Sequence, residues 1–287
     1  MRALALINTS SRRGAEEGGA ALDALRAGGA ELVQPPVGTR EDIDAAIRAS
    51  IGTVDLIVLG GGDGTMNAAA AALLETQIPF AVLPLGTAND LARVLGIPAD
   101  PIQAAKVALS ARRNRIDLGR ANDHLFFNIA TLGLSARLAR AMDKQTKKRF
   151  GALAYPLTVA RIGLGRPFHA TIRSDQGDME LDAIQIAVGN GRYHGGGIVV
   201  HEAAAIDDRL LHLYALAPQS VGSLLAKLPW LLRGRHEITS GVETLTATAF
   251  DVTTSEPLPV NTDGELTTYT PVRFSVIPEA VKVCVPA

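Results

Sequence analysis

Residues 54–75 constrain the fold most. An almost unbroken apolar run, Val54–Leu59, passes directly into Gly60-Gly61-Gly62-Asp63-Gly64-Thr65 and then into the Ala-rich stretch Thr65–Glu75. A strand that is apolar on both faces must be covered on both faces, which places it inside a parallel sheet flanked by helices. The neighbouring stretches agree. Ala3–Ile7, Glu31–Gln34 and Phe80–Leu83 read as strands; residues 15–28, Glu41–Ser50 (apolar at Ile43, Ala46 and Ile47) and Thr65–Glu75 read as helices. Strand–helix alternation at this pitch predicts an α/β domain built on a parallel sheet.

From about residue 117 the pattern changes. Leu125–Ile129, His169–Ser174, Ala183–Val188, Leu211–Ala215, Glu243–Val252 and Val272–Ile277 read as strands, separated by turn signals such as Ser174-Asp175-Gln176-Gly177, Gly195-Gly196-Gly197 and Thr262-Asp263-Gly264. This predicts a mostly antiparallel β-sandwich, interrupted by helical intervals at 134–165 and 219–234. The expected domains are 1–117, with 278–287 as a candidate returning segment, and 118–277. At roughly 150 residues per domain, a chain of 287 residues accommodates both.

Composition removes several classes of function. Lys+Arg 28 against Asp+Glu 29 leaves a net charge of −1, so no global field attracts nucleic acid and an anionic ligand must be met locally. A single cysteine, Cys284, makes neither an intramolecular disulfide nor a cysteine-based zinc site. The six histidines show no metal-ligand spacing, and no Gly-x-Ser-x-Gly elbow is present. No apolar run is long enough to span a bilayer as a helix, and the N-terminal stretch lacks the features of a signal peptide. The expectation is a cytoplasmic protein.

The glycine bend after Leu59 can bring backbone N–H groups close to a ligand, and the helix after it adds unpaired N–H groups and a positive dipole end. No Lys-Ser or Lys-Thr follows, so it is not a Walker A loop; Thr65 stands where a Rossmann fingerprint has its third glycine. Asp63 is a carboxylate where an anion is expected, better suited to a metal ion or a hydroxyl; as a plain helix cap it would bond the N–H groups two or three residues on. A second polar bend, Pro84-Leu85-Gly86-Thr87-Ala88-Asn89-Asp90, follows Phe80–Leu83, with Asn89 or Asp90 as caps of the next helix. Two such bends in successive βα units emerge at one carboxyl edge, where ligands of open α/β sheets bind.

Gly61-Gly62-Asp63-Gly64-Thr65 followed by Pro84-Leu85-Gly86-Thr87-Ala88-Asn89-Asp90 resembles the diacylglycerol kinase catalytic domain, a family of bacterial lipid kinases related to sphingosine and ceramide kinases. Ile116-Asp117-Leu118-Gly119, Phe126–Leu134, Gly195-Gly196-Gly197, Asp207-Asp208, Gly234-Arg235-His236 and Asp263-Gly264-Glu265 fall in family order over most of the chain. The resemblance implies an NAD-kinase-like and diacylglycerol-kinase-like fold. It also implies ATP- and Mg2+-dependent phosphorylation of a lipid hydroxyl, of diacylglycerol or a related lipid, with ATP in the cleft between the domains. The implied nucleotide-binding residues are Asn8, Ser10, Ser11, Arg12, Thr39, Gly61, Gly62, Asp63, Gly64, Thr65, Asn67, Gly86, Thr87, Asn89 and Asp90. Asp263, Glu265 and Asp63 are alternatives for the general base, and Asp208 with the carbonyls of Ala205 and Leu210 is the implied structural magnesium site.

Four departures from the family pattern stand out: Thr9 replaces a proline and Arg12 a glycine in the N-terminal loop, Arg209 replaces the glycine after Asp208, and a proline expected near Glu202 is missing. The alternatives carried forward are an NAD kinase and a catalytically silent nucleotide-binding relative. A lipid substrate further implies peripheral membrane contact. The basic stretch 137–149 (Arg137, Arg140, Lys144, Lys147, Lys148, Arg149) and the apolar stretch 224–235 around Trp230 are the candidates for it. The reading leaves a homodimer open.

Overall fold

The structure, a computed structural model, describes residues 1–8, 12–110, 112–141, 158, 163–191, 193–194, 198–199, 204–224, 226 and 241–286. These form two compact units, Met1–Leu118 with Pro278–Ala287, and Gly119–Ile277.

The first unit runs β1 (Arg2–Ile7), α1 (Arg12–Ala27), β2 (Glu31–Val33), α2 (Arg40–Ala49), β3 (Leu56–Gly61), α3 (Asp63–Thr76), β4 (Phe80–Pro84), α4 (Asp90–Val94) and α5 (Pro101–Leu109). The strand β5 (Arg113–Ala121) then carries the chain into the second unit. There the order is β6 (His124–Phe126), β7 (Ile129–Gly133), α6 (Leu134–Ala141), β8 (Phe168–Ser174), β9 (Gly177–Ala183), β10 (Gln185–Gly189), β11 (Tyr193–His194) and β12 (Ile198–Val199). It continues through β13 (Leu211–Leu216), β14 (Val242–Ala247), β15 (Ala249–Thr254), β16 (Pro259–Thr262) and β17 (Glu265–Tyr269), and β18 (Val272–Cys284) returns the chain to the first unit.

In the first unit the sheet order is β2-β1-β3-β4 followed by the C-terminal part of β18, all parallel. Strand β3 is buried along its whole length, as its apolar run requires. Helix α2 opens with a capping box: Thr39 accepts from the Asp42 amide, and the Asp42 carboxylate accepts from the Thr39 amide. Strand β3 runs two residues past the expected end, because Gly60 and Gly61 lie flat beside their neighbours. A Cβ on Gly60 would sit 2.4 Å from Ile7 Cδ1. The bend therefore starts at Gly62, the N-cap of α3.

The second unit is an antiparallel sandwich. One sheet has the order β14-β13-β10-β7-β16-β17; the other runs from the N-terminal part of β18 through β15 and β8 to β9. Phe126, Ile172, Ile186, Val188, Leu213, Phe250, Val252 and Phe274 fill the space between them. The alternate residues Ala187 and Tyr214 face the other way and pack with Leu134 and Leu138 of α6.

Two expected strands break. Leu125–Ile129 splits at Phe127-Asn128 into β6 and β7, which belong to different sheets. Glu243–Val252 splits at Thr248 into β14 and β15, again in different sheets. Strand β9 is unexpected from its charge content, yet Met179 and Leu181 alternate with Asp178, Glu180 and Asp182, the pattern of an edge strand with one apolar face. Of the interval 134–165, α6 forms the start; the remainder, and most of 219–234, lie outside the described residues.

Candidate functional site

Parallel pairing sets the rim of the first unit. Ile7 lies opposite Gly60 and Gly61 opposite Pro84, so the segments after β1, β3 and β4 all leave the same carboxyl edge. The Asn8 amide donates to the Gly60 carbonyl at 2.8 Å, and the Leu85 amide to the Gly61 carbonyl at 3.0 Å. The two glycine bends touch. A Cβ on Gly86 would meet the Gly62 Cα at 2.3 Å and the Gly62 nitrogen at 3.0 Å. The Asn89 side chain fixes the second bend from inside: its Oδ1 accepts from the Gly86 amide at 2.9 Å and its Nδ2 donates to the Gly86 carbonyl at 3.0 Å.

Asp63 does not cap its own helix. It is the first helical residue of α3, and its Oδ1 accepts from the Leu91 amide at 3.2 Å, tying the first bend to the start of α4. Asn89 is the N-cap of α4 in the left-handed region, but it makes no capping bond with its side chain. Asp90 is buried and lies 3.7 Å from Arg93.

The remaining nucleotide-site candidates divide by position. Gly64 and Thr87 are exposed on the rim, whereas Thr65 is buried and folds back over Gly61, where a Cβ would be 2.2 Å from its Oγ1. Asn8 Nδ2 reaches the same Thr65 Oγ1 at 3.4 Å. Thr39 is exposed and caps α2, and Asn67 Oδ1 accepts from Arg40 Nη2 at 2.8 Å, so both side chains serve helices α2 and α3. Ser10, Ser11 and the Arg12 side chain lie outside the described residues. Sequence reasoning did not find Arg40 or the Leu91 amide; their partners, Asn67 and Asp63, lie 27 and 28 residues away.

In the second unit Asp263 and Gly264 both have positive φ, 48° and 97°, forming the two-residue loop that joins β16 to β17. The hairpin reading is realised, and the carboxylate holds a neighbouring segment of backbone. Asp263 Oδ2 accepts from the Phe127 amide at 2.7 Å, and Oδ1 from the amides of Asn128 and Ile129 at 3.0 and 3.1 Å. This explains the break in the expected strand, since the amides of Phe127 and Asn128 turn toward a carboxylate instead of a neighbouring strand. Asn190 closes the segment from the other side, its Nδ2 donating to the Phe127 carbonyl at 2.9 Å. Glu265 begins β17 opposite Thr262 and is exposed.

Asp208 is held from within its own loop: the Ala205 amide donates to Oδ2 and the Leu210 amide to Oδ1, each at 2.9 Å. His212 Nε2 is 2.9 Å from Oδ2. Burial pushes the Asp208 carboxyl up, but the bonds from His212, Ala205 and Leu210 outweigh it and hold the carboxyl below its ordinary range. The Ala205 amide and His212 Nε2 both sit on Oδ2, which leaves that oxygen no free lone pair, so the carboxylate held in this way does not fit magnesium. Among the described residues no group of three or more His, Cys, Asp or Glu side chains could hold a metal ion.

Of the membrane-contact candidates, Arg137 is exposed and Leu224 is buried; Lys144, Lys147, Lys148, Arg149 and Trp230 lie outside the described residues. No helix among the described residues is long and apolar enough to cross a membrane.

Comparison with known proteins agrees along the whole chain. The family model of the diacylglycerol kinase catalytic domain matches residues 2–121, and that of the YegS C-terminal NAD kinase β-sandwich-like domain matches residues 128–285. A protein of Pseudomonas aeruginosa named "Probable lipid kinase YegS-like" is 37% identical, over 98% of this chain and 94% of that protein. One of the same name from Klebsiella pneumoniae is 33% identical, over 85% and 81%. The crystal structure of a diacylglycerol kinase from Bacillus anthracis superposes with a TM-score of 0.83 at 23% identity, over 99% of this chain and 97% of that one, which shows the shared fold. With a kinase catalytic domain at the front and this sandwich behind it, the chain belongs to the YegS-like lipid kinases of the diacylglycerol kinase family.

Proposed function

We propose that the protein transfers the γ-phosphoryl group of magnesium–ATP to a hydroxyl of diacylglycerol or a related lipid. The observation that carries this reading is the contact between Gly62 and Gly86, which brings two amide-rich bends together on one rim. The first turn of α3 adds N–H groups without intrahelical acceptors and the positive end of a dipole, and Gly64 and Thr87 lie exposed beside them. No lysine occurs within either bend, so the metal carried by the triphosphate supplies much of the charge neutralisation. Magnesium of this kind is commonly held by substrate phosphates plus one or two carboxylates, and we assign Asp63 to it.

The second unit supplies the base. Both oxygens of Asp263 are engaged by backbone amides, so its lone pairs are occupied in holding the 127–129 segment. We therefore assign Asp263 to positioning and Glu265, exposed at the start of β17, to proton removal. The lipid oxygen bonds to the γ-phosphorus, the bond from that phosphorus to the β–γ bridging oxygen breaks, ADP departs with the electron pair, and the hydroxyl proton passes to Glu265.

The test is a γ-labelled ATP assay on total lipid extract and on pure diacylglycerol, alongside Asp63→Ala and Glu265→Gln variants. A labelled phospholipid that disappears with either variant is the expected result. Label incorporated into NAD and into no lipid overturns the reading.

A further inference from the structure

The family resemblance implies a cation at Asp208, where the structure places hydrogen-bond donors. Its carboxylate is ringed by the Ala205 and Leu210 amides and by His212, all within the second unit. His212 is itself locked in place. It lies directly opposite Thr246 in the β13–β14 pairing, and its Nδ1 is 3.1 Å from Thr246 Oγ1. Both ring nitrogens are thus engaged, and the imidazole is almost entirely buried. Asp208 and His212 are four positions apart, so the bond closes the loop onto the strand that follows it.

A magnesium ion bound to Asp208 Oδ2 would need the space that Nε2 occupies. It would also face the positive end of the Ala205 amide. Arg209, at the position where the family has glycine, takes a positive φ of 63°. The loop therefore keeps a glycine-type bend without the glycine.

We infer that His212 replaces the structural cation in this chain, so that the 204–210 loop closes through an internal imidazole–carboxylate bond and the second unit folds without metal. Magnesium then enters only with the nucleotide. The inference stands on the geometry of one unit, and a nucleotide-free experiment reads it separately from the kinase reaction.

The experiment is thermal unfolding of the full nucleotide-free chain after dialysis against EDTA, with and without millimolar Mg2+. It is run on wild type, His212→Ala, His212→Gln and Asp208→Asn. Wild type is expected to unfold at the same temperature in both buffers. His212→Ala is expected to unfold about 3–8 °C lower, because it leaves a partly buried carboxylate short of one donor. Free imidazole should raise that value toward wild type, and His212→Gln, which retains an N–H donor, should fall between the two.

A wild-type midpoint that drops on chelation and returns with Mg2+, with the effect lost in Asp208→Asn, overturns the inference. So does a His212→Ala protein as stable as wild type. If His212→Ala fails to fold, the wild-type and Asp208→Asn chelation series decides alone.

Discussion

Gly62 and Gly86, 24 positions apart, meet backbone to backbone: a side chain on Gly86 would put its Cβ 2.3 Å from the Gly62 Cα, and one on Gly62 would lie 3.1 Å from the Gly86 Cα. Neither neighbour is a flexible side chain that can swing aside. Gly86→Ala should therefore separate the bends, costing about 1–3 kcal/mol of stability and about 10²-fold in kcat/KM through misplaced phosphate-binding amides. Gly19→Ala is the matched control. It sits in α1 with open space around its Cβ, and should stabilise by about 0.5–1 kcal/mol with no change in turnover. Equal activity in the two variants would remove the bends from the mechanism.

Asp63 separates a structural role from a chemical one. Asp63→Asn keeps an oxygen for the Leu91 amide and loses only the charge, so the unfolding midpoint should hold within about 0.5 kcal/mol. Turnover should fall by about 10²-fold or more, reflecting lost coordination of magnesium–ATP. Asp63→Ala should lose both. Turnover retained in Asp63→Asn would assign the residue to loop packing alone.

Much of this was legible in the sequence, and what was not has common causes. The apolar run at Val54–Leu59 and the two glycine bends located the rim, because local backbone demands are written locally. The identity of each partner was not. Asp63 reads as a cap for its own helix, but the Leu91 amide is a competitor from another loop. Thr39 and Asn67 match a nucleotide-site pattern, yet each is engaged in joining or capping α2 and α3. Asp208 matches a magnesium-site pattern, yet its partners are the Ala205 and Leu210 amides and His212, and which donors a loop turns inward is a dihedral matter that residue names do not encode. The sheet switches at Phe127-Asn128 and at Thr248 were hidden because the apolar pattern runs through both breaks.

Thr39 and Asp42 give a stability prediction with a definite sign in pH. The amides of Gly38 and Thr39, with the Thr39 hydroxyl, hold the Asp42 carboxyl below the ordinary carboxylate range. A carboxyl that titrates lower when folded contributes stability that is complete above its unfolded value, near 4, and is lost as the pH falls through the folded one. Thr39→Ala should cost about 0.5–2 kcal/mol at neutral pH, and Thr39→Ser should recover most of it. The difference between wild type and Asp42→Asn should shrink on acidification below the ordinary carboxylate range. Thermal unfolding across a pH series checks both, and a difference that grows on acidification would contradict the capping account.

The last prediction divides the two carboxylates of the β16–β17 hairpin. Asp263→Ala leaves the amides of Phe127, Asn128 and Ile129 without their acceptor, at a cost of about 2–4 kcal/mol and a midpoint lowered by about 5–15 °C. Asp263→Asn restores one acceptor oxygen and should recover part of that loss. Glu265→Gln should leave the midpoint unchanged, since the residue is exposed at the start of an edge strand. Its turnover with lipid should fall by about 10²–10⁴-fold, the range for a lost general base. A split of this kind, stability at Asp263 and chemistry at Glu265, is the expected outcome. A Glu265→Gln enzyme with wild-type turnover, or an Asp263→Asn enzyme that is stable but inactive, would move proton removal back to Asp263.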